Sequence, residues 1–87
     1  MSSRGDRREP IFEDDADRAA WLEVVGQGLE RFDATAFAYF LMSNHFHLVV
    51  QTRQPNLSRL IRHINGVYTQ RYNRRHAKIG HLFQGRF

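Results

Sequence analysis

Seven residues constrain this chain more than any others: Asn44-His45-Phe46-His47-Leu48-Val49-Val50. An extended chain sends successive side chains to opposite faces. His45 and His47 therefore share one face with Val49, and Phe46, Leu48 and Val50 share the other. Two imidazoles side by side on a strand are a natural half of a divalent-metal site. The plain alternative is a half-buried strand that carries two incidental histidines.

The residues before this stretch suit a partner strand. Ala36-Phe37-Ala38-Tyr39-Phe40-Leu41-Met42 is a continuous apolar run, short for a helix and rich in aromatics, and reads as a strand covered on both faces. Ser43-Asn44 is a two-residue turn candidate, because Asn tolerates the left-handed backbone of a tight hairpin. Such a hairpin sets Met42 opposite His45 and Phe40 opposite His47. Tyr39 and Leu41 then join Phe46 and Leu48 on the other side. One face is for packing and one for chemistry.

Two helices flank the hairpin. Asp14 or Asp15 caps the first, expected over Asp15–Phe32, with Trp21, Leu22, Val25, Leu29 and Phe32 forming its apolar stripe. Gly26 and Gly28 weaken its later turns, each by up to ~1 kcal/mol relative to Ala. Asn56 caps the second helix, expected over Leu57–His76. Its apolar stripe is Leu57, Leu60, Ile61, Ile64, Val67, Tyr68 and Tyr72. The rest of that helix is basic and amide-rich, and Arg71 lies at the margin of the stripe, where its head can snorkel to water. Met1–Pro10 reads as a mobile arm. Gly80–Phe87 alternates loosely, like a last strand or ribbon.

Charge points to a partner. All nine acidic residues lie at or before Asp33, and residues 34–87 carry eight Lys/Arg and no acid. An acid-free basic half predicts a polyanion, most plausibly nucleic acid, because solvated faces that bind nothing usually mix signs. Arg59, Arg62, Arg74, Arg75 and Lys78 are the candidate DNA contacts, with Arg86 beyond them. The 87 residues make one small domain near the low end for a self-sufficient core. Without cysteine there is neither a disulfide framework nor a Cys-based zinc site. No apolar run approaches the ~20 residues of a membrane span and no signal peptide opens the chain, so a cytoplasmic location is expected.

The element order, helix-strand-strand-helix-strand, becomes the β-α-β-β-α-β arrangement of a ferredoxin-like domain once a strand is added in front. Both helices then cover one face of an antiparallel sheet, in an α+β fold, and the histidine face stays open. The domain is expected over residues 11–87, behind an arm of residues 1–10.

At this point the chain resembles a known family. Ala38-Tyr39-Phe40-Leu41-Met42-Ser43-Asn44-His45-Phe46-His47-Leu48 is similar to the HUH segment of the single-strand DNA tyrosine transposases, closest to the branch associated with repetitive extragenic palindromes. The likeness continues through Asn56-Leu57-Ser58-Arg59, Tyr68-Thr69, Tyr72-Asn73-Arg74-Arg75 and Gly80-His81-Leu82-Phe83-Gln84-Gly85-Arg86-Phe87. Upstream, Arg4-Gly5 and Ile11-Phe12 through Asp17-Arg18 also fit.

The resemblance implies that His45 and His47 hold magnesium or manganese, which polarises the scissile phosphate of single-stranded or hairpin DNA. A tyrosine then attacks to leave a 5′-phosphotyrosine link. It also implies a first strand before Arg4-Gly5, missing here or reduced to a stub, and a tyrosine helix and third metal ligand beyond Phe87. The chain accordingly reads as incomplete at both ends, with no catalytic residue of its own: Tyr68 and Tyr72 match tyrosines of the preceding helix, not the nucleophile. Two other expectations stand beside a transposase domain: a non-catalytic single-strand-binding module, and a degenerate fragment. A homodimer is among the arrangements the chain allows.

Overall fold

The computed structural model describes residues 2–4, 10–80 and 82–83. Five elements follow in order: β1 (Ser2–Arg4), α1 (Asp15–Arg31), β2 (Ala34–Met42), β3 (His45–Thr52) and α2 (Leu57–His76). The strands form one antiparallel sheet in the order β1-β3-β2. Placing β1 and β2 on either side of β3, with α1 as the crossover, is the split β-α-β unit of a ferredoxin-like α+β fold.

The hairpin has the register its alternation requires. Met42 pairs with His45, Leu41 with Phe46, Phe40 with His47 and Tyr39 with Leu48. Phe46 and Leu48 are buried, with 0% and 1% of their surface exposed, while His47 and Val49 are exposed. The core lies between this face and the helices. Trp21, Val24 and Val25 of α1 and Leu60, Ile64, Tyr68 and Tyr72 of α2 pack there, with Ile11, Phe12, Leu82 and Phe83.

Several expectations need correction. Part of the stretch expected to be a mobile arm is ordered: Ser2–Arg4 forms β1, and its register sets Ser2 opposite His47 and Arg4 opposite His45. The first strand, expected to be missing or reduced to a stub, is a stub of three residues that pairs with the second edge of β3. The run of residues 36–42 is not covered on both faces. β2 is an edge strand, and Phe37, Tyr39, Phe40 and Met42 are all exposed. Phe37 is the extra residue of a bulge between Ala36 and Ala38, a common way to twist an edge away from pairing. The Ser43-Asn44 turn forms without the left-handed backbone, since positive φ among the described non-glycine residues occurs at Asp33 and Ala77. It is held instead from outside, by the Ile11 and Phe12 N–H groups donating to the Ser43 carbonyl at 2.7 and 3.2 Å. Of the expected terminal strand, Leu82 and Phe83 are buried, and Phe83 forms a single bridge; His81 and residues 84–87 lie outside the described residues.

α1 ends one residue earlier than expected, with Phe32 as its C-cap, and its cap is Asp14, whose Oδ1 accepts from the Asp17 N–H at 3.0 Å. Its stripe is rotated: Leu22 is 40% exposed, whereas Val24 and Gly28 are buried. Gly28 has a packing reason. A Cβ there would lie 3.1 Å from Leu60 Cδ1 and 3.4 Å from His63, so hydrogen lets α1 and α2 come close. α2 has the expected bounds, but Leu57 is 41% exposed at its open end. Asn56 occupies the cap position without capping; its side-chain amide donates to the Phe32 carbonyl at 3.0 Å and ties the start of α2 to the end of α1.

Candidate functional site

Two polar assemblies stand on opposite sides of the sheet. On the open face, His45 and His47 project from the central strand as its alternation dictates. His45 is half-buried, and its Nδ1 lies 3.1 Å from Asn44 Oδ1. In the tautomer that donates to this amide oxygen, Nδ1 carries the proton and Nε2 keeps its lone pair for a ligand. His47 is exposed, with β1 on one side and Phe40 on the other. Neither β2 nor β3 contains a carboxylate.

Two neighbouring imidazoles with free lone pairs suit a divalent cation as two of its ligands. Among the described residues, no group of three or more His, Cys, Asp or Glu is placed to hold a metal.

The second assembly joins the start of α1 to the end of α2 and was not legible in the sequence. Asp17, only 1% exposed, accepts from the Glu13 N–H at 2.8 Å, from Arg75 Nη1 at 2.7 Å and from His76 Nε2 at 2.8 Å. Arg75 also grips both oxygens of Asp14, at 2.6 and 2.7 Å. The hydrogen bond from Arg75, helped by the Asp17 N–H, holds the Asp14 carboxyl well below the usual range, and the same contacts push the Arg75 guanidinium up. Glu13 is lowered as well, first by the Tyr72 hydroxyl that donates to it and then by the charges of His76 and Lys78. Tyr68 donates to the Ile11 carbonyl from full burial, which pushes its hydroxyl above the ordinary range.

The candidate DNA contacts therefore divide. Arg75 spends its donors on Asp14 and Asp17, and Lys78 Nζ lies 3.5 Å from Glu13 Oε2 and from the Tyr72 hydroxyl. Arg59, Arg62 and Arg74 are exposed on the side of α2 away from its buried stripe. The sheet stands between them and the histidines, so the structure does not bring these two groups together. Arg71 pairs with Glu23 at 3.1 Å, as a snorkelling side chain can. Arg86 lies outside the described residues. Tyr68 and Tyr72 are buried in the core, and Tyr39, on the same side, sets its ring 6.0 Å from that of Trp21.

Sequence reasoning missed Asp17, whose position in a first helical turn is ordinary for an exposed acid, and gave Asn44 a role in the turn alone. The adjacency of Asn44 to His45 was a usable signal for the second.

No helix among the described residues is long and apolar enough to cross a membrane. A comparison with curated proteins gave no match. The family model described as "Transposase IS200 like" matches residues 3–87, which takes in both strands of the hairpin, both helices and the histidine pair. The chain belongs to the IS200-like transposase family.

Proposed function

We propose that this transposase-family domain binds single-stranded or hairpin-forming DNA on the open face of its sheet, as part of metal-assisted cleavage and strand transfer. The observation that carries this reading is the pair His45 and His47, on a face that nothing among the described residues covers and whose two long strands contain no acid. These residues would hold a divalent cation, magnesium or manganese. When bound, it supplies Lewis-acid polarisation of a phosphate oxygen. Asn44 orients His45, and the central position of β3 holds both imidazoles against rotation of the strand. Arg59, Arg62 and Arg74 supply phosphate contacts on the helix side, suited to a flanking hairpin rather than to the phosphate at the histidines. The branch associated with repetitive extragenic palindromes, and action in the cytoplasm, belong to the same reading.

One observation favours a second reading, binding by this chain without a covalent step. The chain has three tyrosines, and Tyr39, Tyr68 and Tyr72 all lie on the helix side of the sheet. A nucleophile must reach the phosphorus in line, and no rotamer carries a phenol through a sheet. The test incubates labelled hairpin-flanked single strands with the protein and manganese, then separates native and denaturing gels. Manganese-dependent binding that His45→Ala/His47→Ala abolishes supports the reading. Binding indifferent to both manganese and the double substitution would overturn it. A covalent complex removed by Tyr68→Phe or Tyr72→Phe would overturn the second reading.

A further inference from the structure

The two histidines are set by different parts of the fold. His47 lies within β3, with Ser2 of β1 on one side and Phe40 of β2 on the other, so the ladder holds its backbone. His45 is the first residue of β3, directly after the Ser43-Asn44 turn, and its Nδ1 lies 3.1 Å from Asn44 Oδ1. Its ring is therefore only as well placed as that turn.

Two-residue hairpin turns are favoured when their central residues take positive φ, because such turns match the twist of the flanking strands. Neither Ser43 nor Asn44 does so. The turn has little local support and is held across space, by the Ile11 and Phe12 N–H groups that both donate to the Ser43 carbonyl. Residues 10–14 thus form a strap against the hairpin, and α2 fixes the strap. Ile11 is wholly buried; its carbonyl accepts from the Tyr68 hydroxyl while its N–H serves Ser43. Farther along, the Glu13 N–H donates to Asp17 and Asp14 caps α1. One strap residue therefore joins a buried phenol of α2 to the turn beside His45.

We propose that Tyr68 is a positioning residue for His45. It acts through Ile11 and the Ser43-Asn44 turn to keep Asn44 against Nδ1, and so holds the imidazole in the tautomer whose Nε2 can ligate. The inference rests on the reading of His45 and His47 as a cation site and gives that site a support from the helix side of the sheet. A buried carbonyl that loses its donor is costly, so without the hydroxyl the strap relaxes to find another and the turn moves with it. Once Asn44 no longer accepts from Nδ1, the ring proton is shared between the two nitrogens, and a ring protonated on Nε2 has no lone pair there for a cation.

The test uses isotopically labelled, metal-free protein at a pH where the imidazoles are neutral. Long-range proton–nitrogen correlation reads the ring nitrogens of His45 and His47, and sucrose keeps the variants folded. Wild type should carry the His45 proton on Nδ1. Tyr68→Phe, which removes the hydroxyl alone, should shift His45 toward a mixture of tautomers and leave His47 unchanged. Asn44→Ala should give the same change directly. Ile64→Val, a core change on the same helix, should lower the melting temperature yet leave both rings as in wild type. Manganese calorimetry is the second readout: Asn44→Ala should bind about 10- to 100-fold more weakly than wild type, and Tyr68→Phe more weakly than Ile64→Val. A His45 spectrum in Tyr68→Phe identical to wild type overturns the proposal. So does an equal response in Ile64→Val, which would make the effect one of stability, and so does a wild-type His45 protonated on Nε2. Absence of manganese heat in wild type removes the cation site, and the ring spectra then decide the positioning role on their own.

Discussion

Asp17 and His47 are both polar residues on regular elements, yet the protein treats them oppositely. Around Asp17 the two helix ends meet: the Arg75 guanidinium, the His76 imidazole and the Glu13 N–H converge on its buried carboxylate, and Arg75 reaches the half-exposed Asp14 as well. Around His47 the sheet leaves the imidazole exposed, between strands without acids and beside an uncovered phenylalanine. Charge that is internally matched contributes to the fold and has little left for a ligand. Unmatched polarity on a rigid strand contributes almost nothing to the fold and is available for one. The basic residues divide on the same line, with Arg75 committed inward and Arg59, Arg62 and Arg74 exposed on the outer side of α2.

The sharpest break of this contrast is Asp17→Ala. It strips Arg75, His76 and the Glu13 N–H of their common acceptor in a nearly buried position. Because Arg75 is partly exposed and can turn to water, the cost should fall at about 2–3 kcal/mol, short of the full penalty for orphaning a buried charge. Urea unfolding followed by circular dichroism reads this as a lower midpoint with the slope unchanged. A loss under about 0.5 kcal/mol, the range of an ordinary surface change, would show that the cluster is incidental.

Gly28→Val comes next. Its branched side chain enters the gap where a single Cβ already meets Leu60 at 3.1 Å, and overpacking of this kind costs about 1–3 kcal/mol. The same unfolding experiment checks it. A neutral result would mean that α1 and α2 separate easily and that the clamp at their ends, not their close approach, holds the pair.

Acid tests the clamp without a mutation. Asp14 and Glu13 hold protons less tightly in the folded chain than in the unfolded one, so the unfolded state takes up more protons as pH falls. Their contribution is fully present above pH ~4 and declines as pH drops toward their lower folded values. Unfolding midpoints at neutral and acid pH should show this decline. Asp14→Asn, which keeps the helix cap but not the charge, should flatten it. An identical acid profile in the variant would remove Asp14 from the account.

The smallest effect on the fold belongs to the site. His45→Ala/His47→Ala should change stability by no more than about 1 kcal/mol in all, since His47 is exposed and His45 half-buried outside the core, yet remove the heat of manganese binding in calorimetry. Destabilisation by several kcal/mol would place the histidines among the structural residues. Unchanged manganese heat would take the metal away from them.

Much of this molecule was legible in its residues, for reasons that are local. Strand alternation determined that His45 and His47 share a face and that Phe40 and Met42 oppose them, because a two-residue turn and a period of two leave only one register. Helical periodicity determined α2 to the residue and most of its buried stripe, since an apolar arc of that width can face only a core. The run of residues 36–42 misled because apolar content reports what a strand could bury, not whether a layer exists to bury it against. Only the tertiary structure, with both helices packed on the Phe46 and Leu48 face, left Phe40 exposed on the other. Asp17 was invisible for a related reason: its partners Arg75 and His76 lie 58 and 59 residues away, and no pattern along the chain pairs them. Tertiary structure alone decided which charges were spent on the fold, because a long-range ion pair depends on where two helix ends meet. It also decided which face of the sheet the two helices cover and which residues of the other face are exposed.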